Sequence, residues 1–446
     1  HDVSGNGSYA NALQNTAYGF TALDAISTGD YNTALGYGAG GAINTGQFNA
    51  AAGYKALLTL SSGEKNTAFG AFSLANVASG SYNTSLGYNA LGAANGSESK
   101  NVAVGYEALS ALDSATTDNL NVAVGYEAGK AVTTGVQNTL IGGLAGDSLN
   151  TGNYNVAVGY ESLGLTTLGA SNVAVGNFAL NENVKTNANV AIGQQALQDN
   201  VGNGSTNNQL TYNTAVGYFA GKNVTSGVNN TLIGAAAGDA LQDDSNNVAV
   251  GTNAMTDLQT DNCVAVGYAA MYAATTSART TAVGRSAFGN AILTGNDNTA
   301  LGYHAGYVST SGSQNTLIGS RAGDGISLGA NNVALGYLSL SAVNAGSRSV
   351  AIGSGALQIQ TPQFTDATCD TNHTSNTTTV ACDANSSIKV GMRVTGTGID
   401  AGETVTITAV NASSVTSFTI SHAAVSTNTN TTLTFTGGVD SSNTAV

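Results

Sequence analysis

Apolar and polar positions alternate along this chain in short bursts. In Asn121-Val122-Ala123-Val124-Gly125 the two valines fall on one side of an extended segment, and the asparagine and alanine on the other. The burst recurs 20 times, from Asn15-Thr16-Ala17-Tyr18-Gly19 to Ser349-Val350-Ala351-Ile352-Gly353. Its glycines stand 17 residues apart in all but five intervals, which measure 16, 18, 18, 20 and 24. A fixed short period of this kind predicts a solenoid with one repeat per rung. The β-branched residues suit strands, and the Gly- and Asn-rich segments between bursts suit turns. The expected fold is therefore all-β: a parallel β-solenoid or β-roll of about 20 rungs over residues 15–360, after a polar lead-in at 1–14.

Each rung has named columns, counted from its glycine. Four residues before the glycine, Asn occupies 17 of 20 copies, the exceptions being Cys263, Thr280 and Ser349. Stacked amides forming a ladder are the expected role of this column. The residue just before the glycine is apolar in every copy, and the third after it is always Ala or Ser. Two before it stands Ala or Leu in 19 of 20 copies, with Ser85 the exception. Taken as the outward face, that small-residue row requires cover by another chain, and a homotrimer is expected. The phrases Asn138-Thr139-Leu140-Ile141-Gly142, Asn230-Thr231-Leu232-Ile233-Gly234 and Asn315-Thr316-Leu317-Ile318-Gly319 mark a higher order. They delimit five-rung blocks starting near 32, 121, 213 and 298, read as the trace of a duplication.

The rhythm stops at Thr361-Pro362, which holds the only proline of the chain, a residue that cannot donate to a ladder. Thr- and Ser-rich stretches follow: Thr377–Val380, Ile388–Val394 and Thr404–Thr408. They predict a small antiparallel β domain over 361–446, incomplete at its C-terminal end. The start at His1 reads as a mature product or a fragment. The net charge of −14 argues against a nucleic-acid partner, because phosphates call for clustered Lys and Arg. No apolar run approaches the ~18 residues of a membrane helix. Three cysteines in 446 residues do not make a disulfide-dense scaffold.

The phrases Val190-Ala191-Ile192-Gly193 and Val350-Ala351-Ile352-Gly353 resemble the head repeats of trimeric autotransporter adhesins, the YadA-like left-handed parallel β-roll. The resemblance covers residues 15–360. This chain departs from it in its longer period and in wording such as Asn32-Thr33-Ala34-Leu35-Gly36-Tyr37. That wording is more similar to repeats of bacteriophage tail fibres, which often end in a self-cleaving chaperone domain. The segment Val390–Ile399 is also similar to a small β module of phage structural proteins. The resemblance implies an extracellular fibre protein for attachment to a host surface, first as a virion tail fibre. A bacterial surface adhesin and a purely structural filament component are the alternatives. Implied partners are two further copies of the chain, a host cell-surface glycan or protein receptor, and neighbouring fibre or baseplate proteins.

Candidate chemistry is sparse. Tyr follows the rung glycine in 10 of 20 copies. Tyr37, Tyr54, Tyr106, Tyr126, Tyr160 and Tyr337 form a candidate stripe for stacking on sugars, set against a plain packing role in which each ring covers the next rung. Glu107, Glu127 and Glu161 share one column. Paired carboxylates can run glycoside hydrolysis or hold Ca²⁺, but a thin rung supplies no pocket, and a solvated stripe is expected. Asp147, Asp239 and Asp324 are read as turn caps. His304, His373 and His422 are scattered, with no nucleophile at triad spacing. Cys263 reads as an inert buried thiol, and Cys369 with Cys382 as a candidate disulfide. No catalytic, cofactor or metal site is expected, and no enzyme activity.

Overall fold

A computed structural model describes residues 12–94, 96–114, 118–203, 209–290, 292–341 and 346–357. Beyond these it describes 364–373, 379–385, 393–396, 405–410, 415–421, 428–436 and 444–445, with side chains at 394, 405–410 and 417–421. The chain forms two compact units, His1–Thr280 and Thr281–Val446. Among the described residues there is no helix.

In the first unit, three-residue strands from Thr16–Tyr18 to Val264–Val266 follow one another, one per rung. Each pairs in parallel with the next and in register: Val102 lies opposite Val122, and Val122 opposite Thr139. Equivalent columns stay aligned across the 20-residue interval before Gly125 and the 24-residue interval before Gly217. The second unit carries five such strands, Thr281–Val283 to Val350–Ile352, in the same register. It also holds a six-stranded antiparallel sheet, ordered 393–396, 428–436, 364–373, 379–385, 415–420 and 407–410. Val394, Val405, Ile407, Phe418 and Ile420 are buried there. The β-solenoid and the small antiparallel sheet expected from the sequence are both present.

The sidedness of the strands is the reverse of the expectation. Ala103, Ala123, Ala157 and Ala174 are 0% exposed within their own chain. Val122 and Val124 are only half-buried, and Leu35, Phe69 and Leu301 in the outward column are exposed. The reason is volume. A short rung folded back on itself encloses a narrow interior, already filled by large side chains from the opposite limb such as Leu91, Leu109, Leu163, Leu112, Val132 and Leu149. Only Ala fits opposite them at most rungs, so the β-branched pair faces outward. The alanine row is covered by its own chain and no longer argues for a second one.

The asparagine column does form the expected ladder. Asn138 donates its backbone N–H and its Nδ2 to Asn121 Oδ1 at 2.9 and 3.2 Å, and Nδ2 also to the Gly152 carbonyl at 2.9 Å. Every one of these side chains is buried, so each bond is made where water cannot substitute. At Cys263 the backbone N–H still donates to Asn247 Oδ1 at 2.9 Å, and Sγ donates to the Ser277 carbonyl at 3.0 Å. In the second unit the ladder links Asn298, Asn315 and Asn332.

Corners are made by left-handed backbone. The positions five before, two after and four after the rung glycine have positive φ in all 20 rungs, mostly without glycine: Tyr154 (60°), Glu127 (52°) and Leu109 (50°) are examples. The rung glycine itself is needed twice over. Gly125 has φ 146°, and a Cβ there would stand 2.3 Å from the Gly142 carbonyl oxygen of the next rung. A second glycine column, seven before the first, escaped the sequence reading. A Cβ on Gly135 would stand 2.6 Å from the Gly152 oxygen. Its signal was visible as the dipeptides Thr28-Gly29, Thr45-Gly46, Thr134-Gly135 and Thr151-Gly152.

The five-rung order also has a packing cause. Where Leu140 replaces Ala in the inward column, the residues four after the glycines of its own and the preceding rung are Gly146 and Gly129 instead of Leu. A Cβ on either would meet a Leu140 methyl at 2.9 or 2.6 Å. Leu232 with Gly221 and Gly238, and Leu317 with Gly306 and Gly323, repeat the exchange. The phrase conserves core volume by moving a leucine from one limb of the rung to the other.

Candidate functional site

The tyrosine column becomes a stack of rings. Phe20, Tyr37 and Tyr54 lie nearly parallel, with centroids 5.7 and 5.5 Å apart. At the next rung the column holds Ala71, and Phe72 steps in edge-on, 5.3 Å from Tyr54 and 6.0 Å from Tyr88. Tyr88, Tyr106 and Tyr126 continue at 5.5 and 5.4 Å. Parallel strands in register impose this spacing, because equivalent side chains repeat once per rung. Interior rings thus give their faces to one another and present edges and hydroxyls to solvent; Tyr106 and Tyr126 remain 43% and 56% exposed. The stack ends where Gly143 takes the column. Tyr160 resumes it, with Phe178 edge-on at 5.5 Å, and Tyr337 stands exposed in the second unit.

The glutamates beside these rings are bound up in ion pairs and hydrogen bonds. Lys130 Nζ lies 2.8 Å from Glu107 Oε2 and 3.2 Å from Glu127 Oε1. Its hydrogen bond with Lys130 pulls the Glu107 carboxyl below its ordinary value, and the same contact holds the ammonium above its own. The neighbouring carboxylates in turn push up the phenols of Tyr106, Tyr126 and Tyr160. A carboxyl kept ionised and paired is a poor general acid, and among the described residues no group of three or more His, Cys, Asp and Glu could hold a metal ion.

Asp147, Asp239 and Asp324 have raised carboxyl pKa values, first because of burial. Asp239 Oδ1 is buried without a hydrogen-bond partner among the described residues. His304 stacks between Tyr303 and Tyr307 at 3.9 and 4.2 Å. Burial raises the Cys263 thiol to about 11, which leaves little thiolate to react. Cys369 and Cys382 fall in adjacent antiparallel strands, Phe364–His373 and Thr379–Asn385, but their side chains lie outside the described residues, as do those of His373 and His422.

Comparison with protein-family models, with curated proteins and with solved structures finds no match. No helix among the described residues is long and apolar enough to cross a membrane.

Proposed function

We propose that this chain is part of an extracellular attachment fibre, in the first place a virion tail fibre, which works by binding and not by catalysis. One observation carries the reading: a continuous row of part-exposed aromatic rings, Phe20 to Tyr126, is fixed at one lateral position on a scaffold of buried hydrogen-bond ladders. Repetition multiplies weak contacts into avidity, and a host surface presents its receptors in the same multiplied way. The pairing of Glu107 and Glu127 with Lys130 favours a surface that binds over one that hydrolyses.

The proposal retains three copies of the chain, with a different contact face. The outward strand column stays apolar in every rung, and Leu35, Phe69, Leu86 and Leu335 are exposed along it. Apolar patches of that extent mark interaction surfaces. Light scattering should give three times the 44.1 kDa chain mass; a monomer would remove this part of the reading. For attachment itself, fluorescently labelled protein would be incubated with a panel of Gram-negative and Gram-positive cells. Retention on some cell types and not others is expected. Absence of binding to every cell type would leave a filament component as the reading.

A further inference from the structure

A regular solenoid has ridges but no hollows, and the first unit has a hollow. An open recess of about 600 Å³ lies on its side, lined by Asn153, Tyr154, Leu168, Ser171, Ala188 and Leu210 among others, none of them charged. That volume is in the range of small-ligand sites, ~300–1,000 Å³.

Two departures from the repeat build it. The column five before the rung glycine runs Tyr154, Ser171, Ala188, Tyr212 over four successive rungs. Elsewhere the same column holds nothing smaller than Asn or Asp, and Tyr31 stacks on Phe48 in it at 4.8 Å. Two small residues in succession therefore leave a gap beside the exposed Tyr154 ring. The second departure is the 24-residue interval before Gly217. It supplies an extra strand, Gln209–Leu210, which pairs in parallel with Thr186–Asn187 and brings the exposed Leu210 to the wall. Asn153 Oδ1 accepts the Val136 N–H at 2.8 Å, which fixes its amide at the rim.

We infer that this recess binds a short neutral saccharide. An aromatic ring and two leucines match the apolar faces of a sugar, while amide and hydroxyl groups at the rim match its hydroxyls. The described lining residues carry no charge, which selects against sialylated, sulfated or phosphorylated glycans, whose charge would be desolvated without a partner. Among the described residues the Tyr154 ring is in no aromatic stack, unlike Tyr37 or Tyr106, so its surface is available to a ligand. The inference rests on the attachment reading and narrows it to one subsite.

The test uses the full chain on an array of neutral di- to tetrasaccharides of glucose, galactose, mannose and N-acetylhexosamines, with acidic glycans alongside. The strongest neutral binder is then titrated by saturation-transfer NMR. Ala188→Arg fills the recess without new backbone strain, since Arg279 and Arg348 occupy the same column at φ 54° and 59°. Ala188→Arg and Tyr154→Ala should each weaken binding at least tenfold, with unchanged thermal melts, while Tyr82→Ala, at an exposed ring of the same column outside the recess, should not. No neutral binder, binding to acidic glycans alone, or unaltered binding by Ala188→Arg overturns the proposal. If Ala188→Arg still attaches to cells like the wild type, the recess is not the attachment subsite, and the attachment reading survives without it. Saccharide binding lost in both variants, from a protein that attaches to no cell, supports the recess and removes the attachment reading.

Discussion

At the scale of single residues, the same amino acid does unrelated things in different columns. Asn138 is buried, and its side chain serves the Gly152 carbonyl and, through Oδ1, the Asn155 N–H at 3.0 Å. Asn229 is exposed, and its Nδ2 reaches Asn246 Oδ1 at 3.2 Å. Asn138→Ala leaves two buried groups unsatisfied, each worth roughly 1–3 kcal/mol, so a loss of about 2–6 kcal/mol is expected in denaturant melts. Asn229→Ala should change stability by less than ~0.5 kcal/mol. A similar loss for both would refute the ladder's role. Asp147 tests burial in the other direction. Its carboxyl pKa is raised in the fold, chiefly by burial and then by Glu161. The folded state then holds the proton more tightly than the unfolded chain, so its contribution is favourable at low pH and lost as pH rises through the folded pKa. Asp147→Asn should raise Tm at pH 7 and lose that advantage below the ordinary carboxylate range. An equal gain at pH 3 and pH 7 would contradict this account.

At the scale of the rung, the sequence was informative about period and much less so about direction. The three-residue strands and the Asn ladder follow from spacing alone. Which face is inside does not, because Val-Ala-Val alternates equally well either way; interior volume decides, through side chains elsewhere in the rung such as Leu112 and Leu149. The Leu140 exchange makes volume measurable. Leu140→Ala should cost about 2–5 kcal/mol by opening a cavity, with Gly129 and Gly146 unable to fill it. Gly129→Leu alone should also destabilise by collision with Leu140. The pair Leu140→Ala with Gly129→Leu restores the arrangement of Ala123 and Leu109 one rung earlier, and should be more stable than the sum of the single losses. Additive losses in a double-mutant cycle would deny the coupling. The Tyr stripe was equally visible in sequence, but its ring-on-ring stacking was not, since Phe72 and Phe178 enter it from the adjacent column. The recess beside Tyr154 left only an indirect mark, a long interval and two small residues whose significance depends on the register of their neighbours.

At the scale of the whole chain, composition and period excluded more than they identified: a low charge and a 17-residue repeat fix the architecture and leave the ligand open. The left-handed corners carry a further consequence, for the path of folding. Each rung holds up to three non-glycine residues in a conformation that costs roughly 1–2 kcal/mol apiece, and a rung alone cannot recover that cost, because most of its Asn-ladder and glycine contacts are made with neighbouring rungs. The first few rungs must therefore form together against a steep barrier, after which each addition is templated by the edge before it. Such a unit should show hysteresis: in guanidinium its unfolding midpoint, approached from the native side, should lie well above its refolding midpoint after days of incubation. Coincident curves within hours would mean that a single rung can nucleate.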